Sequence, residues 1–420
     1  MPILIGDGTD PIVINDPDLD FKLITGALLD TGTSDAFFVT ADDATITIDG
    51  TVLSEDDGVD GGGNRLLLHV GTNGVVNVGS DGLRTVGTNA TVIVEGTVNA
   101  VDQGIEMEGT NGTLLNSGYI FSAEEAVEIA TTGATVFNSG TIESTNTAFD
   151  VNGGNAVITN TGTIIGGSEA MDFSDVAAES SITFFNSGTV ESTFGPRAIL
   201  GSAGRDFIFN TGTLDGNVAL GGGNDVFDGR GGTVIGTVYG QGGSDTIYAG
   251  AGGGEINGGG GGDRLIGGAG EDILAGASGA DVLRGNGGND DLRGGGGDDL
   301  MFGGAGSDFL KGFGDDDIMD GGRGNDNLNG GAGDDTFVFQ LNAGDDRIFA
   351  WENGADVIDL SAYELGSIFD VSAAITDVGA DAVVDLSALG GNGSITIVGQ
   401  AGNIDAFDFI VNDDLILVLA

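Results

Sequence analysis

Apolar residues return along this chain on two fixed beats. From Gly240 to Val338 one aliphatic or aromatic side chain recurs every nine residues: Ile247, Ile256, Leu265, Leu274, Leu283, Leu292, Met301, Leu310, Met319, Leu328 and Phe337. Each nonapeptide thus offers one reliably inward position, enough for a minimal strand. The rest of the unit is rich in Gly, which suits tight turns at positive φ. Two units make an 18-residue coil, strand-turn-strand-turn, stacked on the next at about 4.8 Å. A fixed short period of this kind marks a repeat architecture before any other signal.

The second beat is longer. The segments LLNSGYI, VFNSGTI, ITNTGTI, FFNSGTV and IFNTGTL place Asn116, Asn138, Asn160, Asn186 and Asn210 at spacings of 22, 22, 26 and 24. An apolar residue lies two before each Asn, from Leu114 to Ile208, and another four after, from Ile120 to Leu214. A second strand falls between the segments: GIEME, AVEIA, AFDVN and AMDFS. β-Branched strands, Gly-Asn turns and a period near 22 predict a parallel β-helix. Its Asn column predicts an amide ladder from coil to coil. In the second strand Glu106, Glu128, Asp150 and Asp172 alternate with inward apolar residues. This acidic column faces outward. A solvated face is its plainest reading, with a cation- or glycan-binding stripe and catalytic carboxylates as alternatives.

The expected organisation is all-β throughout: a cap over 1–34, a right-handed parallel β-helix over 35–215, a parallel β-roll over 216–338 and a β cap over 339–420. Ile3–Ile5 and Ile12–Ile14 read as capping strands.

Charge sharpens this picture. Lys and Arg number 12 against 65 acids, a formal net charge of -53, and 50 of the acids are Asp. Asp recurs at the sixth position of the nonapeptide. One edge of the roll carries Asp245, Asp263, Asp281, Asp299, Asp317 and Asp335, and the other Asp272, Asp290, Asp308 and Asp326. Asp225, in LGGGNDVFD, heads a similar unit. Two bare carboxylates about 4.8 Å apart repel by roughly 1 kcal/mol in water and roughly 3–4 kcal/mol at an effective dielectric of 20. The columns need a counter-charge, and carboxylates with free turn carbonyls suit Ca²⁺. These eleven Asp residues are the candidate ligands of several ions.

The units GGAGEDILA, GGGGDDLMF and GGAGDDTFV match GGxGxDxUx and resemble the repeats-in-toxin (RTX) nonapeptide, a known Ca²⁺-binding β-helix repeat. The resemblance spans roughly 220–420 and is specific over 240–338. It implies a parallel β-roll with Ca²⁺ between turns and export by the type I secretion machinery. The ending DFIVNDDLILVLA resembles the signal of that pathway. Two departures stand out: Gly254 replaces a ladder Asp, and Asp315 replaces a turn Gly, which strains the turn or adds a ligand.

Other chemistry is sparse. With no cysteine, disulfides and thiol catalysis are excluded. His69 is the only histidine, and HExxH, GxSxG and GK[ST] motifs are absent. The net charge disfavours nucleic acid and anionic membrane as partners. No apolar run is long enough to span a membrane, and MPILIGDGTD has no basic n-region, so no Sec leader is expected. The sequence therefore predicts a secreted or cell-surface calcium-binding protein with a structural or matrix role. Calcium and the export apparatus are its partners, with self-assembly or surface glycans beyond them. The alternative is a polysaccharide lyase or epimerase on the β-helix. No base lies between Arg84 and Arg197, where the acidic column runs, and that weakens it.

Overall fold

A computed structural model describes residues 11–16, 20–365 and 369–411. Ile3–Ile5 and the last nine residues of the expected export signal lie outside them. The chain divides into two compact units, Met1–Phe227 with Gly231–Gly236, and Asp228–Arg230 with Thr237–Ala420. Strands dominate both, and nearly all pair in parallel between successive coils, making a parallel β-solenoid.

In the first unit a coil has three strands, for example Thr113–Asn116, Tyr119–Ser122 and Glu125–Ile129. We call the sheets they build one, two and three. The sequence pattern resolves fewer strands because the Asn-Ser-Gly turn packs two of them into one short motif. The turn is tight because Asn116 Oδ1 accepts the Gly118 N–H at 3.1 Å. Ile12–Ile14, read above as a capping strand, pairs in parallel with Phe37–Val39 in sheet three.

Alternation decides which side chains go in. Leu114, Val136, Ile158, Phe184 and Ile208 line the core from sheet one, and Ile120, Ile142, Ile164, Val190 and Leu214 from sheet two, each fully buried. The Asn column is buried with them and forms the expected ladder. Nδ2 of Asn116, Asn138, Asn160 and Asn186 each donates to Oδ1 of the next Asn at 2.7–2.9 Å. The ladder survives the 26-residue spacing because the extra residues loop out between Asp172 and Thr183. Outward positions stack in register as well. On sheet one they are Thr113, Thr135, Val157, Thr183 and Phe207, then Leu115, Phe137, Thr159, Phe185 and Phe209. The nearer column of sheet two is Tyr119, Thr141, Thr163, Thr189 and Thr213. On sheet three it is Glu106, Glu128, Asp150 and Asp172.

In the second unit a coil has two strands. One sheet runs from Thr237–Gly242 to Gly344–Phe349, the other from Thr246–Tyr248 to Val357–Asp359. The nine-residue apolar column forms the spine of the core here, from Ile247 to Phe337, none more than 1% exposed. Beyond it Trp351 packs 6.0 Å from Phe337. Gly393–Ile397 then pairs in parallel with Gly344–Phe349 and carries an antiparallel meander, Ile375–Val378 and Asp381–Asp385.

Candidate metal centre

Every ladder aspartate of the roll sits at the head of a strand, held by its backbone. The N–H after it bonds to the Asp carbonyl one coil earlier: Arg264 to Asp245, Val282 to Asp263 and Leu300 to Asp281, each at 2.8 Å. The side chain reaches back to the same coil. Oδ1 of Asp263 accepts the Asp245 N–H at 2.8 Å, and Oδ1 of Asp281 that of Asp263 at 2.7 Å. This relay continues through Asp299, Asp317 and Asp335, and on the other edge from Asp272 through Asp290, Asp308 and Asp326, at 2.8–3.0 Å. Asp225 makes the same contact within the first unit, accepting the Asp206 N–H at 2.8 Å. All eleven candidate ligands are buried, none more than 2% exposed. The nine-residue beat brings ten of them into two columns.

The second carboxylate oxygen is the unusual part. In Asp263, Asp281, Asp290, Asp299, Asp308, Asp317, Asp326 and Asp335, Oδ2 is shielded from solvent and meets no hydrogen-bond donor. A charged oxygen placed so is strongly disfavoured unless a cation joins it. Burial therefore pushes Asp281, Asp326 and Asp335 up to about 6, and Asp299, Asp308 and Asp317 up to about 7. The N–H bond pulls each back, and neighbouring acids raise it further.

The glycine that opens all but one of the units makes room for this oxygen. A Cβ on Gly258, Gly276, Gly285 or Gly294 would come within 2.1–2.2 Å of Oδ2 of Asp263, Asp281, Asp290 or Asp299. The columns at positive φ are the second and fourth of the unit. They hold Gly295 at 128° and Gly297 at 109°, and also Ala277 at 83° and Phe313 at 82°. Glycine thus has two duties in the repeat, close approach at the first position and left-handed backbone at the second and fourth. Buried anionic oxygen, a cradle sized to it and turn carbonyls form a hard oxygen donor set that fits Ca²⁺.

The two sequence departures resolve differently. Gly254 keeps a backbone N–H facing the Asp272 carboxyl but contributes no carboxylate. Asp272 there takes the Gly268 N–H on Oδ2 at 2.6 Å. Asp315 adopts φ 70°, and its carboxylate accepts the Gly297 N–H at 2.8 Å from an exposed position. It braces the turn of a neighbouring coil and stands outside the buried column.

Sequence reasoning missed three members of the ladders. Asp346 accepts the Asp326 N–H at 2.8 Å, and Asp356 accepts that of Asp335 at 3.1 Å. Asp206 precedes Asp225. All three are followed, two residues on, by a buried Ile, which is the signal that was available. Counting in nines lost them because the steps from Asp335 to Asp346 and on to Asp356 are 11 and 10, and that from Asp206 to Asp225 is 19. Asp206 and Asp356 also differ chemically. Each takes a second N–H on Oδ2 from the residue four earlier, Ser202 at 2.8 Å and Glu352 at 2.7 Å. That closure, shared with Asp272, supplies a donor where the regular rungs have none.

Two further acidic groups occur in the first unit. Arg84 bonds Glu106 at 2.6 Å, Asp60 at 3.0 Å and Glu108 at 2.6 Å, so a base does reach the end of the outward acidic column. Burial pushes Glu106 up to about 8 and Asp150 up to about 7, and Asp172 adds to the latter. Ligand oxygens of Asp35, Asp56 and Asp57 lie within 4.8 Å of one another on an accessible surface.

Comparison with known proteins follows the ladder. The family model for the RTX calcium-binding nonapeptide repeat matches four times, at residues 237–256, 253–283, 276–310 and 311–341. No curated protein matches. Among solved structures, the extracellular lipase LipA from Serratia marcescens is similar at 16% identity and a TM-score of 0.23, over 56% of this chain and 45% of that one. The chain thus spans less than half of that lipase, and so faint a likeness says nothing of activity. RTX nonapeptides bind several Ca²⁺ ions and are typical of proteins exported by type I systems. Over residues 237–341 this chain carries the calcium-binding nonapeptide repeats of the RTX family, on a parallel β-solenoid.

Proposed function

We propose that this is an exported, calcium-binding structural protein whose roll folds on the ion outside the cell. The eight shielded carboxylate oxygens without a donor carry this reading. The proposed ligands are Asp225, Asp245, Asp263, Asp272, Asp281, Asp290, Asp299, Asp308, Asp317, Asp326 and Asp335, with turn carbonyls of the same units. Bound Ca²⁺ supplies the positive charge and the open oxygen coordination that the stacked carboxylates lack. Without it the Gly-rich chain has the highest backbone entropy to lose and a column of like charges to bring together. A chain kept unfolded in a calcium-poor cytosol suits passage through a type I channel. Outside, sites of the extracellular class, with Kd on the order of 10⁻⁴–10⁻³ M, fill, and binding free energy becomes folding free energy. The cap over 1–34, the β-helix over 35–215, the roll over 216–338 and the export-bearing cap over 339–420 are the parts of this proposal. A surface or matrix role, with copies assembling through repetitive coils, completes it. Circular dichroism with Ca²⁺ and with EGTA is the test. A roll already β-rich and protease-resistant in EGTA at pH 7.5 overturns it.

A second reading, a polysaccharide lyase or epimerase, is favoured by one observation. Asp150, pushed up to about 7, has the proton affinity a general acid needs near neutrality. Asn152 Nδ2 bridges Asp150 and Glu128 at 3.1 Å each. Product formation from alginate or pectate that Asp150→Asn abolishes would replace the first reading.

A further inference from the structure

The first unit has one corner whose own outward columns lack charge, although Arg205 lies 4.8 Å over the Phe207 ring at one end and Tyr119 donates to Glu143, in the next column of sheet two, at 2.8 Å. Sheet one and the nearer column of sheet two, with the turn between them, present four outward columns over the coils from Thr113 to Thr213. No ionisable carboxylate or base occurs in any of them, on a chain of formal charge -53. Sheet three of the same unit carries Glu106, Glu128, Asp150 and Asp172 instead.

The corner is rich in hydroxyls. The turn column Ser117, Ser139, Thr161, Ser187 and Thr211 is exposed. Ser139 and Thr161 donate inward to the Asn116 and Asn138 carbonyls at 3.3 Å, which leaves their oxygens outward as acceptors. Apolar rings and chains are set among these rows: Phe137 is 49% exposed, Phe185 42% and Val157 39%. Phe185 and Phe209 stack at 5.1 Å, so their edges, already ordered, face out.

We propose that this corner binds a neutral polysaccharide. An anionic polymer is repelled by the surrounding charge, and a cationic one is drawn to sheet three. A second copy fits less well, because protein interfaces are depleted in Ser at their centre and draw little energy from Thr. A neutral polyhydroxylated chain meets hydroxyl rows that donate and accept, with apolar strips between them. The in-register coils repeat these rows at about 4.8 Å, so an ordered polymer can use many weak contacts at once. The inference gives a partner to the extracellular placement proposed above and rests on that placement, not on the calcium ligands.

The test is depletion of the full chain, in millimolar Ca²⁺, by insoluble cellulose, chitin and a neutral β-glucan, with pectate beads as the anionic arm. Depletion by at least one neutral polymer is expected. Thr159→Glu and Thr163→Glu, each placing a carboxylate at the middle of the corner, should weaken it about tenfold or more, the cost of leaving a charge unpaired in a contact. Glu124→Gln, at an exposed turn outside the corner and outside the sheet-three column, should leave it unchanged. Circular dichroism of each variant confirms the fold and reports calcium dependence separately. Failure of every neutral polymer to deplete the chain overturns the proposal, as does full retention by both Glu variants. A dimer in light scattering that Thr159→Glu dissolves, without polymer binding, assigns the corner to a second copy and overturns it too.

Discussion

The repeat depends on glycine at two kinds of position, and single substitutions separate them. Gly294 packs where a Cβ would lie 2.1 Å from Asp299 Oδ2. Gly294→Ala must displace that carboxylate from its cradle. We expect a loss of about 1–3 kcal/mol, the usual cost of overpacking, and fewer ions bound per chain in a calcium titration. An unchanged stoichiometry would show that the cradle has no part in the site. Ala277 presents the opposite case, an L-residue at φ 83°. A left-handed residue costs roughly 1–2 kcal/mol, and the looser unfolded chain of a Gly variant returns part of it. Ala277→Gly should therefore stabilise the calcium-loaded roll by about 0.5–1 kcal/mol, read as a higher midpoint in denaturant. A lower midpoint would mean that the turn is not strained.

At the scale of the element, the first unit is held by a buried amide column that stands apart from the aspartate ladders. Asn138 accepts from Asn116 at 2.7 Å and donates to Asn160 at 2.8 Å, with almost no exposure. Asn138→Ala removes one of the two bonds made by Asn116 Nδ2, which keeps the Thr141 carbonyl, and one of those made to Asn160 Oδ1, which keeps the Gly162 N–H, each buried loss worth about 1–2 kcal/mol. The expected result is a cooperative loss of about 2–4 kcal/mol that is the same in Ca²⁺ and in EGTA, with ion stoichiometry intact. A loss confined to EGTA would tie the column to the metal instead. This ladder was legible in the sequence because Asn, its flanking apolar residues and its Gly recur together. The strand count was not, since two strands share one seven-residue motif and only the turn geometry at Asn116 separates them. The roll shows the same limit. Its two Asp columns follow from arithmetic in nines, while Asp346 and Asp356 join the columns after irregular steps that only backbone pairing reveals. The donor that Glu352 gives Asp356 could not be foreseen either, because it depends on a local turn and not on residue type.

For the molecule as a whole, the ladder couples protons, calcium and folding. In the metal-free fold Asp281, Asp326 and Asp335 are raised to about 6, and Asp299, Asp308 and Asp317 to about 7. In the unfolded chain these groups revert to about 3.9. Between roughly pH 4 and pH 7 the folded state thus binds more protons than the unfolded one, so metal-free stability falls as pH rises through that window and levels off above it. Calcium runs the other way, because its ligands must be deprotonated. Protons compete with it below pH 7, and its stabilisation grows as they leave. In metal-free buffer the β-sheet signal of the roll should then be stronger at pH 5 than at pH 7.5, while the stability that a fixed millimolar Ca²⁺ concentration adds should be larger at pH 7.5 than at pH 5. The two trends have opposite signs and a single cause, the shielded oxygen that either a proton or a cation can satisfy. Metal-free stability that rises from pH 5 to pH 7.5 would mean that the ladder carboxylates ionise freely in the fold, and the reason for calcium-dependent folding would go with that result.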